Sequence, residues 1–234
     1  MSAAELLQII GYEFARRELL DEALTHPSAI IPRRHRGRRR NPAARSYERL
    51  EFLGDRVLGL VIADCLWRRF DAEPEGDLTR RHTHLVRREA LARVAETIGL
   101  GRYLVLSRAE AAMGAAANQG ILADTCEALI AAIYLDGGFA AASAFVQRFW
   151  EPLIEEMEAP PRDPKTALQE WAQGRGLALP AYELVATSGP DHAPLFTVTA
   201  SVVGGDPATA SGSSKRIAEA RAAAMLLERL TAER

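Results

Sequence analysis

The run ERLEFLGDRVL at 48–58 holds three carboxylates, Glu48, Glu51 and Asp55, at spacings of three and four. At about 100° per helical residue, Glu51 and Asp55 fall within about 60° of Glu48. Leu50, Leu53, Val57, Leu60 and Val61 gather on the other side, at about 120–220°. The spacing predicts a helix with a core face and a separate acidic face. ILADTCEALIAAIYLDGG at 121–138 repeats the pattern. There Glu127 lies about 60° from Asp124, with Leu122, Cys126, Leu129 and Ile133 near 140–200°. A sixth acid, Glu75, stands in EPEGDLTR just before another helical stretch.

Like charges three residues apart on a helix repel, and Glu48, Glu51 and Asp55 have no Lys or Arg four residues on. One reading is a solvated helix surface, where Glu and Asp are common. The other is a divalent-cation site. Mg²⁺ is a hard ion that takes carboxylate oxygens, keeps waters and works on phosphates. None of His26, His35, His82, His84 and His192 stands three residues after a clustered acid. That counts against a Glu-x-x-His di-iron bundle.

These acids need elements to hold them. The first 155 or so residues carry Ala, Leu and Ile at helical spacing, with no alternating strand pattern. EEMEAPPRDP then breaks the rhythm with three prolines and several charges, as an interdomain linker does. Beyond it, PKTALQEWAQG reads as a short helix, AYELVATSG and PLFTVTASVVGG as strands, and Thr209 falls in a third. SSKRIAEARAAAMLLERL closes with a helix. The expectation is an all-α domain over 1–156, a linker over 157–162, and a small α+β (α-β-β-β-α) domain over 163–232, helices on one face of an antiparallel sheet.

Together ALTHPSA, ERLEFLGDRVL, EGDLTR and LADTCEALIAAIYLDGG resemble the ribonuclease III family, in the right order and at the right spacing. The resemblance implies a Mg²⁺-dependent endonuclease (Mn²⁺ substituting) that cuts double-stranded RNA, leaving 5′-phosphate and 3′-hydroxyl ends and processing rRNA and other precursors. By it, Asp55 and Glu127 match the pair most directly tied to catalysis, and Glu51 and Asp124 their metal-binding companions. Glu48 and Glu75 match outer positions linked to RNA or a further metal shell. The family is dimeric, and Phe52 matches a residue at the subunit seam. A two-fold dimer would set one acidic cluster on each strand of a duplex.

The last 70 or so residues resemble a double-stranded RNA-binding domain. Thr166, Gln169 and Glu170 match first-helix positions that touch the minor groove. His192 matches a loop position that reaches 2′-hydroxyls. Lys215 and Arg216 open the last helix, where backbone N–H groups already favour a phosphate. Such domains read A-form shape rather than base sequence. Two departures stand out. Residues 163–234 carry seven bases and eight acids, and Pro194 stands where a basic residue is common. Both point to modest affinity and strong salt sensitivity.

PRRHRGRRR at 32–40 holds six Arg, either a phosphate contact or a solvated run. AAMGAAANQG, before Asp124, lacks the bases often found there in the family. Net charge is −2 over 234 residues, which argues against a uniformly basic surface but leaves local basic patches open. No run suggests a transmembrane span or signal peptide; Leu58 to Trp67 is short and broken by Asp64. Cys65 and Cys126 lie in apolar helical patterns, as buried thiols of a reducing cytoplasm do. Trp67, Trp150 and Trp171 are expected in cores. A non-cleaving RNA-binding protein is the competing reading, but binding alone gains nothing from acids that face an anionic ligand.

Overall fold

The computed structural model describes residues 3–30, 45–190 and 193–232. His192 and the Arg-rich run 32–40 lie outside the described residues. The chain divides into two compact units, Met1–Pro161 and Arg162–Arg234.

The first unit is helical: α1 Ala3–Ile10, α2 Arg17–Ala23, α3 Glu48–Arg69, α4 Glu75–Leu85, α5 Arg88–Ile98, α6 Arg108–Ala112 and α7 Gln119–Glu155. The long pair, α3 and α7, packs together at the centre. The charge pattern of α3 suits its dipole, with Glu48 and Glu51 in the first turn and Arg68 and Arg69 in the last. On α7, the Asn118 side chain caps the start by accepting from the Gly120 and Ile121 amides at 2.8 and 3.3 Å. Gly138, at φ 78°, kinks α7 into two stretches, both of which feed the domain core. By length and hydropathy α7 is apolar enough to cross a membrane. Here its apolar side chains Leu129, Ile130 and Ile133 are fully buried in the domain core, with Leu58 and Ile62 of α3.

Two polar ties hold the periphery. The Asp136 carboxylate accepts from the Tyr12 hydroxyl and from the Ala15 and Arg16 amides, at 2.9, 2.9 and 3.0 Å, pinning the α1–α2 connection to α7. Arg81, almost wholly buried, donates twice to Glu73 (2.7 and 2.8 Å) and once to the Met157 carbonyl (2.8 Å), fixing the chain beyond α7.

Two apolar side chains expected inside lie at the surface. Trp67, expected in the core, is 72% exposed, and Leu60, expected on the core face, is 59% exposed. Both lie at about 100–120° on the Glu48 wheel, where the buried stripe gives way to solvent. Trp150 is buried and donates to the Leu85 carbonyl at 2.8 Å; Trp171 is half-buried. Both thiols are free; Cys126 is buried and Cys65 half-buried.

The second unit runs α8 (Pro164–Gln173), β1 (Ala181–Ser188), β2 (Leu195–Ser201), β3 (Ala208–Gly212), α9 (Lys215–Ala232). The strands form an antiparallel sheet in the order β1-β2-β3, with a register shift between Leu184 and Ala186. Asp163 caps α8, and Pro164 takes the position where its missing N–H costs nothing. Leu168 and Ala172 of α8, Ala200 of β2 and Ala222, Ala223 and Leu226 of α9 bury a small core between helices and sheet. This is the α-β-β-β-α unit that the sequence pattern predicts.

Candidate active site

The acidic faces of α3 and α7 meet because Gly54 lets the two helices touch. A Cβ at Gly54 would run into the Glu127 carbonyl oxygen. That crossing brings one carboxylate oxygen each from Glu51, Asp124 and Glu127 within 4.8 Å of one another. The three line a cavity of about 390 Å³ together with Asp55, Arg56 and Arg88. Leu91, Ala123 and Phe52 complete its wall.

Burial and mutual repulsion act on these acids. Glu127 is pushed up to about 7, first by desolvation and then by the charges of Glu51 and Asp124. Glu51 and Asp124 are also raised, chiefly by burial; Arg88 opposes this in both. Tyr47, buried beside Asp124, has its hydroxyl raised by desolvation and by the surrounding carboxylates. His26 also bears on Asp124 through its charge, and its ring meets that of Tyr47 edge-on at 5.7 Å.

An all-oxygen donor set without thiolate or imidazole, strained by like charge, fits a hard divalent cation such as Mg²⁺. Glu51, Asp124 and Glu127 would hold it.

The same electrostatics predict a pH effect. Folding raises the Glu127 carboxyl from its ordinary 4.5 to about 7, so the folded chain binds more protons across that window. Metal-free stability from this group therefore falls as pH rises from about 4.5 to 7. A thermal melt in EDTA at pH 5.5 and 8.0 should show the lower midpoint at pH 8.0, and Glu127→Gln should flatten the difference. Equal slopes for the two proteins would contradict this.

The other expected residues are placed as follows. Asp55 lines the cavity, but its carboxylate pairs with Arg56, so three acids converge closely rather than four. Glu48 is exposed and accepts from the Ser46 hydroxyl at 2.7 Å. Glu75 opens α4, accepts from Thr79 at 2.9 Å and is not part of the cavity wall. Phe52 is 68% exposed, with Arg56 over its ring at 5.3 Å. Thr166, Gln169 and Glu170 are exposed on α8, and Lys215 and Arg216 are exposed at the start of α9. Lys165, the other lysine of the chain, is bound internally to Glu219 at 2.6 Å.

Sequence reasoning missed Arg56, Arg88, Tyr47 and His26. Arg56 was legible, since it sits about 80° from Glu48 on the same wheel. Arg88 arrives from α5, and no local pattern announces it.

Residues 16–153 match the family model described as Ribonuclease-III-like, and residues 164–230 match the double-stranded RNA binding motif. The chain is 50% identical over 220 residues to Ribonuclease 3 of Azorhizobium caulinodans, covering 94% of this chain and 91% of that protein. The chain belongs to the ribonuclease III family. Ribonuclease 3 of Dinoroseobacter shibae is 51% identical over 219 residues, covering 93% of this chain and 91% of that protein. The nuclease domain of ribonuclease III from Campylobacter jejuni matches with a TM-score of 0.58 at 34% identity, over 67% of this chain and 99% of that one. A second structure of that domain, described by flexibility in a region involved in its dimer formation, gives 0.57 at 36%, over 64% of this chain and 97% of that one. The first unit is thus a ribonuclease III nuclease domain and the second a double-stranded RNA-binding domain.

Proposed function

We propose that the chain hydrolyses phosphodiester bonds of double-stranded RNA with Mg²⁺, Mn²⁺ substituting, and leaves 5′-phosphate and 3′-hydroxyl ends. It acts as a cytoplasmic homodimer in the processing of rRNA, mRNA and other precursors. The observation that carries this reading is the convergence of Glu51, Asp124 and Glu127 oxygens within 4.8 Å, from two helices.

A divalent cation bound there supplies the positive charge that an anionic phosphodiester and its attacking water both require. Glu51, Asp124 and Glu127 would hold it. Asp55 stands in the same wall, kept in place by Arg56, and with Glu127 faces the reacting phosphate. Glu48 and Glu75 act further out, on RNA or an outer metal shell. In the second domain Thr166, Gln169 and Glu170 follow the minor groove, His192 reaches 2′-hydroxyls, and Lys215 and Arg216 meet phosphates. None of these contacts reads base identity.

Phe52 supports the dimer reading: a phenyl ring left 68% exposed beside the cavity would bury its surface against a second subunit. Two copies would then cut both strands.

Mapping the ends of a cleaved duplex tests the reading. We expect cleavage with Mg²⁺, none in EDTA, and 5′-phosphate ends. Cyclic phosphate ends, or binding that never becomes cleavage once Mg²⁺ is restored, would refute it.

A further inference from the structure

The cavity wall holds four carboxylates, from Glu51, Asp55, Asp124 and Glu127, and two guanidiniums, from Arg56 and Arg88. With all six charged, the wall carries −2. One divalent cation cancels that and leaves no excess to draw in an anionic backbone. The two arginines are not equivalent. Arg56 is taken up by the Asp55 carboxylate and lies over the Phe52 ring. Arg88 is exposed, and among the described residues no carboxylate comes within ion-pairing distance of it. It is also the first residue of the eleven-residue helix α5. A cation there works against the helix dipole. It faces the clustered acids across the cavity and draws their carboxyls down without pairing with one, which leaves the fork of its guanidinium open to an anion from outside the fold.

We propose that Arg88 is a substrate-contacting residue, whose guanidinium takes the non-bridging oxygens of an RNA backbone phosphate at the mouth of the acidic cavity. This rests on the nuclease reading above and adds a residue to it. A guanidinium presents a planar fork that matches two phosphate oxygens, and it stays charged at any working pH. Its contact is with the backbone, so it orients the strand without selecting sequence. The charge also offsets the repulsion that four acids impose on an incoming phosphate.

The test compares full-length Glu127→Gln with the double variant Glu127→Gln/Arg88→Gln, binding duplex RNA in Mg²⁺ across a salt series. Loss of a phosphate contact should flatten the dependence of log K on log salt by about one unit per contact. Affinity at low salt should drop several-fold. Arg88→Lys in the same background should restore most of the slope, because its charge is kept, but not the full affinity. The melting temperature should not fall, since Arg88 is exposed. An unchanged slope together with tighter Mg²⁺ binding would overturn the inference and leave Arg88 a counter-ion of the acids alone. Absence of duplex cleavage by the parent chain in Mg²⁺ would instead overturn the nuclease reading on which the inference rests, and parent-like cleavage by Glu127→Gln would remove only Glu127 from the site.

Discussion

Glu127→Gln is expected to reduce duplex cleavage about 10³-fold or more, because charge stabilisation by a bound metal contributes several kcal/mol and each 1.4 kcal/mol is tenfold. The same substitution should make the metal-free protein more stable at pH 8. Glu127 is half-buried and pushed up to about 7 by desolvation and by Glu51 and Asp124, so its ionised form is held at a disadvantage. Gln keeps the volume and removes the charge. After discounting for partial solvent access, the gain is on the order of 1–2 kcal/mol. Loss of activity with gain of stability is the signature of a site held for function against its own folding. A variant that cuts as fast as the parent would remove Glu127 from the site. One that cuts slowly but also melts earlier would point to a structural role.

Much of the fold follows from spacing. The alternation of apolar and acidic faces on 48–69 and on 119–133 is a local property, and so are the caps at Asn118 and Asp163. The strands of the second unit show as alternation because one face of the sheet is covered by helices. Sequence order alone could not say which surface a helix edge would meet. Trp67 and Leu60 look apolar enough for a core, yet among the described residues they stay exposed.

The site was half legible. Two acidic faces could be drawn on wheels, but their meeting is a tertiary fact, and so is the arrival of Arg88 from a third helix. Counting bases only at four-residue spacing suggested acids without partners. The structure adds Arg56 from the next position and Arg88 from α5, so the cavity is of mixed charge. Asp55 shows what that changes: it stands in the same wall as the other three acids, and its carboxylate pairs with the neighbouring arginine.

The remaining large effect concerns Gly54. On propensity alone, Gly→Ala inside a helix should stabilise by about 1 kcal/mol. At Gly54 the added methyl would strike the Glu127 backbone carbonyl, which cannot swing aside as a side chain could. α3 and α7 would have to part, and with them Glu51 and Glu127. We expect Gly54→Ala to destabilise by about 1–3 kcal/mol or more. Cleavage should fall about 10²-fold or further, since a shift near 1 Å in catalytic geometry is that damaging. Gly59→Ala is the control on the same helix. There the nearest atoms, of the His82 ring, lie 3.7 and 3.9 Å from a Cβ, ordinary contact distances, so stability should hold or rise and cleavage should persist. If Gly54→Ala instead behaved like Gly59→Ala in both melting and cleavage, the close crossing of the two helices would not be what gathers the carboxylates.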